Sequence, residues 1–182
     1  MIWLILGVAI WAYSHLMKRV TPGFRAGLGE GRGKGVVAVL ALVAIGLMIY
    51  GYKHADYVDL WSPPAFLRHI NNLLMLIAVV LVNMSASRGV MRRWMRHPML
   101  TAVMVWAVAH LMVNGDLASL ILFGGIGLWA LGDMLMINRM EPAWVPPVPG
   151  PIRNDLIYLS ASALLFVVVV AVHNWLGYPP FG

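Results

Sequence analysis

The sequence predicts an all-α fold: a polytopic, integral membrane helical bundle of about six transmembrane helices, with both termini outside. Three observations predict it. Of 182 residues, 61% are apolar and only 11% are charged, whereas a soluble domain carries about 25% charged residues. That leaves too little polar material to coat a globule. Six apolar runs approach the ~20 residues that a spanning helix needs. Lysine and arginine, finally, fall almost wholly in alternate loops. No polar stretch is long enough to be a linker, so residues 1–182 read as a single transmembrane domain with short loops.

The runs lie near Met1–Met17, Val36–Tyr52, Ile70–Asn83, Met99–Asn114, Leu117–Ile137 and Leu156–Trp175. Several are short, so their helices must extend into flanking residues or the bilayer must thin to meet them. The first has Lys18 and Arg19 after it and no basic residue before it. A cleavable signal peptide shows the reverse order, so this segment reads as a retained helix with its amino end outside. The first loop holds Lys18, Arg19, Arg25, Arg32 and Lys34; the third holds Arg88, Arg92, Arg93 and Arg96; the fifth holds Arg139 and Arg153. With eleven of the thirteen basic residues there, and only Lys53 and Arg68 in the second loop, the odd-numbered loops face the cytoplasm.

Local chemistry supports the hairpins. Asn114-Gly115-Asp116 offers a helix stop, a residue able to take positive φ and an N-cap, which predicts a tight antiparallel pair of fourth and fifth spans. His97-Pro98 opens the fourth span with proline at the first helical position. Pro63-Pro64 and the Pro142–Pro151 stretch mark loops outside the membrane. Trp3, Trp61, Trp144, Trp175 and Tyr178 fall near the expected interfaces, as belt residues do.

The composition also excludes functions. The chain has no cysteine, which rules out disulfides, iron–sulfur clusters, thiolate zinc sites, cysteine nucleophiles and covalent c-type haem attachment. Its net charge of +6 reflects orientation in the lipid bilayer rather than a nucleic-acid partner. The glycine-rich first loop resembles a phosphate-binding loop only superficially: Leu28 and Gly35 stand where that pattern needs glycine and serine or threonine. It reads as a flexible basic cytoplasmic loop.

Ionisable groups at membrane depth are costly and invite a functional reading. Of six histidines, His110 lies deepest, in the fourth span, with Trp106 and Asn114 four residues either side. His15 lies near the inner end of the first span, one turn beyond Trp11. His173 lies near the outer end of the sixth, His54 and His69 flank the second loop, and His97 sits at the cytoplasmic mouth of the fourth. Neutral imidazole is a common metal ligand and a usual axial ligand of haem iron. Two such rings on different helices make a b-type haem site; the alternative is that each bonds a neighbouring helix or the interface. Asp133 reads as a structural ion pair with Arg139 or Arg153 rather than a proton relay. Gly124, Gly125, Gly127 and Gly132 read as sites of close helix approach. No nucleophile, base and orienter can be assembled, so catalytic residues stay unassigned.

The run His97-Pro98-Met99, Trp106-Ala107-Val108-Ala109-His110-Leu111, Asn114-Gly115-Asp116-Leu117-Ala118-Ser119-Leu120 and Leu122-Phe123-Gly124 resembles the NnrU family of bacterial membrane proteins. So do His15, the Gly51-Tyr52-Lys53-His54 turn and Arg153-Asn154-Asp155-Leu156. The resemblance covers nearly the whole chain. It implies a multi-pass protein of the bacterial inner (cytoplasmic) membrane, an association with denitrification, and kinship with the 15-cis-ζ-carotene isomerase, a membrane haem b enzyme. On that kinship His15 and His110 match the haem ligands and the metal-bound residues, and His54 matches a further histidine of the cofactor site. A polyene is then the implied small-molecule partner, and cis–trans isomerisation the implied reaction. The runner-up ligand pair is His54 with His110. A non-enzymatic accessory factor for nitrite or nitric oxide reductase expression or maturation is the other reading. The isomerase has a cysteine where this chain has Ala107, so a redox switch through that thiol is not carried over.

Overall fold

The computed structural model describes residues 1–181, and within them all six apolar runs are helical. The helices are α1 (Ile2–Val20), α2 (Pro22–Gly27), α3 (Glu30–Lys53), α4 (Leu67–Ala86), α5 (Pro98–Leu111), α6 (Leu117–Met140) and α7 (Ile152–Trp175). A 3-10 turn covers Met91–Arg93, and α6 passes through a π-helical stretch at Leu120–Gly124. Four helices, α3, α4, α6 and α7, are long and apolar enough to cross a membrane. The second half of α1 carries His15, Lys18 and Arg19, which lowers its hydropathy, and α5 is apolar but has only 14 residues. Large apolar side chains stay uncovered on these helices: Leu42 is 69% exposed, Leu128 70% and Leu164 67%. Water would penalise such surfaces at about 25 cal/mol per Å², whereas lipid does not.

By its contacts the chain forms two compact units. The first comprises Met1–Ser62 and Asn114–Trp129; the second comprises Pro63–Val113 and the chain from Ala130, so the division falls inside α6.

In the first unit α1 and α3 pack as an antiparallel hairpin. Its register is set where side chains vanish. A Cβ on Gly7 would lie 2.8 Å from the Met48 nitrogen and 2.9 Å from the Ala44 oxygen, and one on Gly51 would strike the Leu4 backbone. Lipid supplies no hydrophobic drive between helices, so close backbone approach through small residues replaces it. Gly125 in α6 likewise meets Val8, whose Cγ1 would lie 2.7 Å from an added Cβ, whereas Gly132 faces open space.

The expected flexible loop before α3 is ordered instead. Gly29 takes φ +71°, a conformation that favours glycine, and its carbonyl accepts from Arg25 Nη1 at 3.0 Å. Helix α3 then begins at Glu30, six residues before the expected start. Each glycine costs the helix ~1 kcal/mol against alanine; the exposed Glu30–Lys34 pair at 2.7 Å returns only a few tenths of that, and the Arg25 guanidinium lies over Gly33.

Gly115 also differs from expectation. Positive φ occurs only at Gly29 and Gly177 among the described residues, so Gly115 is not a left-handed helix stop. It is a point of close approach. Leu60 and Trp61 donate their N–H groups to the Gly115 carbonyl at 2.8 and 3.0 Å, Leu117 donates to Val58 at 2.9 Å, and Asp59 bridges to Asp116. A Cβ on Gly115 would strike the Trp61 carbonyl. The N-cap is as expected: Asp116 accepts from the Ser119 N–H at 2.9 Å.

In the second unit, α4 packs against α5 through Leu81, Met84 and Ala102. It runs antiparallel to α7, with Asn83 donating to Ser162 at 2.9 Å and Asn72 to the Pro180 carbonyl at 2.9 Å. The turn after α4 is built on Asp155, a residue that spacing arguments passed over. Only 4% exposed, its carboxylate accepts from the Ser87 hydroxyl at 3.0 Å and the Val90 N–H at 2.7 Å, with Met91 N–H at 3.3 Å. Asn154 donates to the Arg88 carbonyl at 3.2 Å. The Asn154-Asp155 pair therefore holds the arginine-bearing turn through its main chain and leaves the guanidinium groups for other contacts.

Two substitutions test these anchors. Gly115→Ala should lower stability by roughly 1–3 kcal/mol through the Trp61 clash. Gly115→Asn should do no better, although asparagine tolerates positive φ; a wild-type melting temperature for the asparagine variant in detergent would refute the close-approach reading. Asp155→Ala should cost roughly 2–4 kcal/mol, since one hydroxyl and two N–H groups lose their acceptor. Limited trypsin digestion should then cut faster at Arg88, Arg92 and Arg93, and unchanged cleavage would show that the carboxylate does not order the turn.

Candidate functional site

Three of the six histidines share one local construction. His15, His54 and His110 each direct Nδ1 to the carbonyl four residues earlier: Trp11 at 2.9 Å, Tyr50 at 2.8 Å and Trp106 at 2.9 Å. A carbonyl only accepts, so Nδ1 carries the proton and the neutral ring keeps its lone pair on Nε2. The residue four earlier is aromatic each time, and it packs on the imidazole. Ring centroids are 4.2 Å apart for Trp11–His15, 4.3 Å for Tyr50–His54 and 5.1 Å for Trp106–His110. A helix places residues i and i+4 on one face, so the aromatic-x-x-x-His spacing dictates both the hydrogen bond and the ring contact. His173 makes the same bond to Val169 at 2.8 Å without an aromatic partner. His97 instead bonds Asn138 through Nε2 at 2.8 Å. His69 lines an open groove of about 470 Å³ with Phe66, Arg68 and Phe181.

His15 has the most elaborate surroundings. Ser14, 1% exposed, places its hydroxyl 3.0 Å from His15 Nδ1 while donating to the Trp11 carbonyl at 2.8 Å. Trp129, from α6, stands at 61° to the imidazole with centroids 4.9 Å apart, and at 88° to Trp11 with centroids 5.6 Å apart. The imidazole is thus boxed by two indoles. Both indole Nε1 atoms are buried and have no hydrogen-bond partner among the described residues. Trp129 was not legible as a site residue, because a tryptophan more than a hundred positions from His15 carries no spacing signal toward it.

Near the other end of the hairpin, Tyr52 donates to the Ser119 hydroxyl at 2.8 Å, and Ser119 donates to Asp116 at 2.6 Å. Ser119 is fully buried at the entry to the π-helical stretch of α6. This chain of bonds joins the Gly51–His54 turn to the Asn114–Leu120 segment, two motifs that the sequence left unconnected.

The hairpin does not bring His15 and His54 together. Leu4 sits against Gly51, so the two histidines lie on opposite sides of that contact, about 20 Å apart along the helix axes. His110 belongs to the second unit, on α5, one turn from the buried Ala107 and next to the buried Ala109. Asp133 is buried on α6. Among the described residues, no group of three or more His, Cys, Asp or Glu side chains could hold a bare metal ion.

A family model described as NnrU protein matches residues 3–180. No curated protein and no solved structure matches the chain.

Proposed function

The chain belongs to the NnrU family, and from that premise we propose that it is a haem b protein of the bacterial inner membrane, with His15 and His110 as axial ligands. The observation that carries this reading is the repeated aromatic–histidine turn. It commits Nδ1–H to the main chain and leaves the lone pair on Nε2, the tautomer and orientation a ligating histidine needs. A porphyrin brings four nitrogens of its own and asks the protein for one or two imidazoles.

His54 carries the same turn and is the runner-up ligand. One iron cannot take both His15 and His54 across about 20 Å of hairpin, so the competing pair is His54 with His110. When bound, the haem supplies an iron centre able to interact with a π system or a small ligand. The protein contributes orientation through Trp11 and Trp106, a fixed tautomer through the Nδ1–H bonds, and lipid access for a hydrophobic substrate. In this reading the kinship with a carotene isomerase that the resemblance implies points to a polyene as that substrate, and the resemblance to the NnrU family points to a role linked to denitrification. Ala107 offers no thiol, so no sulfur at that position takes part.

For topology we propose six spans with both termini outside. Helix α1 completes its span by snorkelling Lys18 and Arg19 into the headgroups, and α5 by local thinning of the bilayer. Tags at either terminus should report the periplasm and tags after Arg32 and Arg92 the cytoplasm; a cytoplasmic carboxyl terminus would overturn the count.

Protein purified from haem-replete cells should show a low-spin Soret spectrum. His15→Ala and His110→Ala should each lose haem or convert it to high spin, whereas His97→Ala and His173→Ala should leave the spectrum unchanged. A colourless wild-type protein refutes the reading, and an unaltered spectrum in His15→Ala transfers ligation to His54.

A further inference from the structure

The two indoles around His15 pose a problem that ligation alone does not solve. A buried N–H without an acceptor costs about 1–3 kcal/mol, and such groups are rare in folded proteins. Here two lie within one cluster, on Trp11 and Trp129. Their rings meet edge to face at 88°. In that arrangement one N–H can point at the other ring's π face, but the second cannot do so in return. At least one donor is left for an acceptor supplied from outside the chain.

The surroundings define the acceptor's charge. Helix α1 ends in Lys18 and Arg19, and Trp11, His15 and Lys18 follow one another at helical spacing on one face. No acidic side chain occurs in α1, and Lys18 is exposed. On α6 the buried Asp133 follows Trp129 by one turn and sets a negative charge against the two cations that end α1, so it is the orphan donors beside that cationic helix end that suit an anion. An apolar box that also carries a ligating lone pair suits an anion attached to an apolar body.

We propose that the indole N–H groups of Trp11 and Trp129 donate to a carboxylate of the porphyrin that His15 ligates, which makes both tryptophans positioning residues. This rests on the haem reading above and deepens it. The imidazole sets where the ring binds, and the indoles select a carboxylate-bearing porphyrin.

The test compares haem b with its dimethyl ester, in which both carboxylates are capped, on the full-length protein in detergent. Soret titration measures affinity, and transfer to apomyoglobin measures loss. A hydrogen bond to a charged group corresponds to about tenfold in affinity, so wild-type protein should hold haem b at least about tenfold more tightly than the ester. Trp11→Phe combined with Trp129→Phe keeps the rings but removes the donors, and should bring that ratio close to one. His15→Ala should weaken both ligands alike. Equal affinity of wild-type protein for haem b and ester overturns the carboxylate contact while leaving ligation by His15 standing. Absence of any Soret band with either ligand overturns both. The ester comparison needs no variant, so it decides the matter even if the double substitution prevents folding.

Discussion

In a medium without water, every polar group must find its partner inside the chain, and the arrangement of this protein follows from that constraint. The helices satisfy their main chains internally. The histidines extend the same economy to side chains, since a ring that bonds its own helix at i−4 needs no neighbouring helix to orient it. Trp11, Tyr50 and Trp106 therefore fix the rings of His15, His54 and His110 locally. A ligand site can then be prepared on one helix before tertiary contacts complete it.

The same constraint governs packing. With lipid on most faces, α1 and α3 are held by backbone approach at Gly7 and Gly51 rather than by a large apolar core. Where polar groups are buried, they come as closed sets. Asp155 takes one hydroxyl and main-chain N–H groups from the Ser87–Arg93 turn, and Tyr52, Ser119 and Asp116 form a continuous chain of donors and acceptors. Among the described residues, the Trp11 and Trp129 indoles are exceptions, donors without acceptors, as is the Asn71 Oδ1, an acceptor without a donor.

Much of this was legible in the sequence, because hydropathy reports helices in lipid directly. All six apolar runs became helices, the prolines fell in the loops or at the first turn of α2 and α5, and Asp116 capped α6 as its spacing required. The misreadings have a common cause. Gly27–Gly35 looked flexible and Gly115 looked like a left-handed stop because glycine signals conformational freedom. In both places tertiary contacts decide instead: Arg25 crosses Gly33, and the Trp61 carbonyl occupies the space beside Gly115. The role of Asp155 has no local signal, since nothing in α7 reveals that a turn some 65 positions away delivers its donors.

The candidate site divides along the same line. The i−4 aromatic is a local feature that His15, His54 and His110 share in the sequence. Their environments are not equivalent. His54 ends α3 and stacks on the exposed Tyr50, whereas His15 gains a second aromatic wall from α6 and a buried serine beside Nδ1. A ring walled on two sides loses rotamer freedom before any ligand arrives, which lowers the entropic cost of ligation. It is this preorganisation, supplied by Trp129 rather than by the histidine's own helix, that favours His15 over His54 in the proposed site.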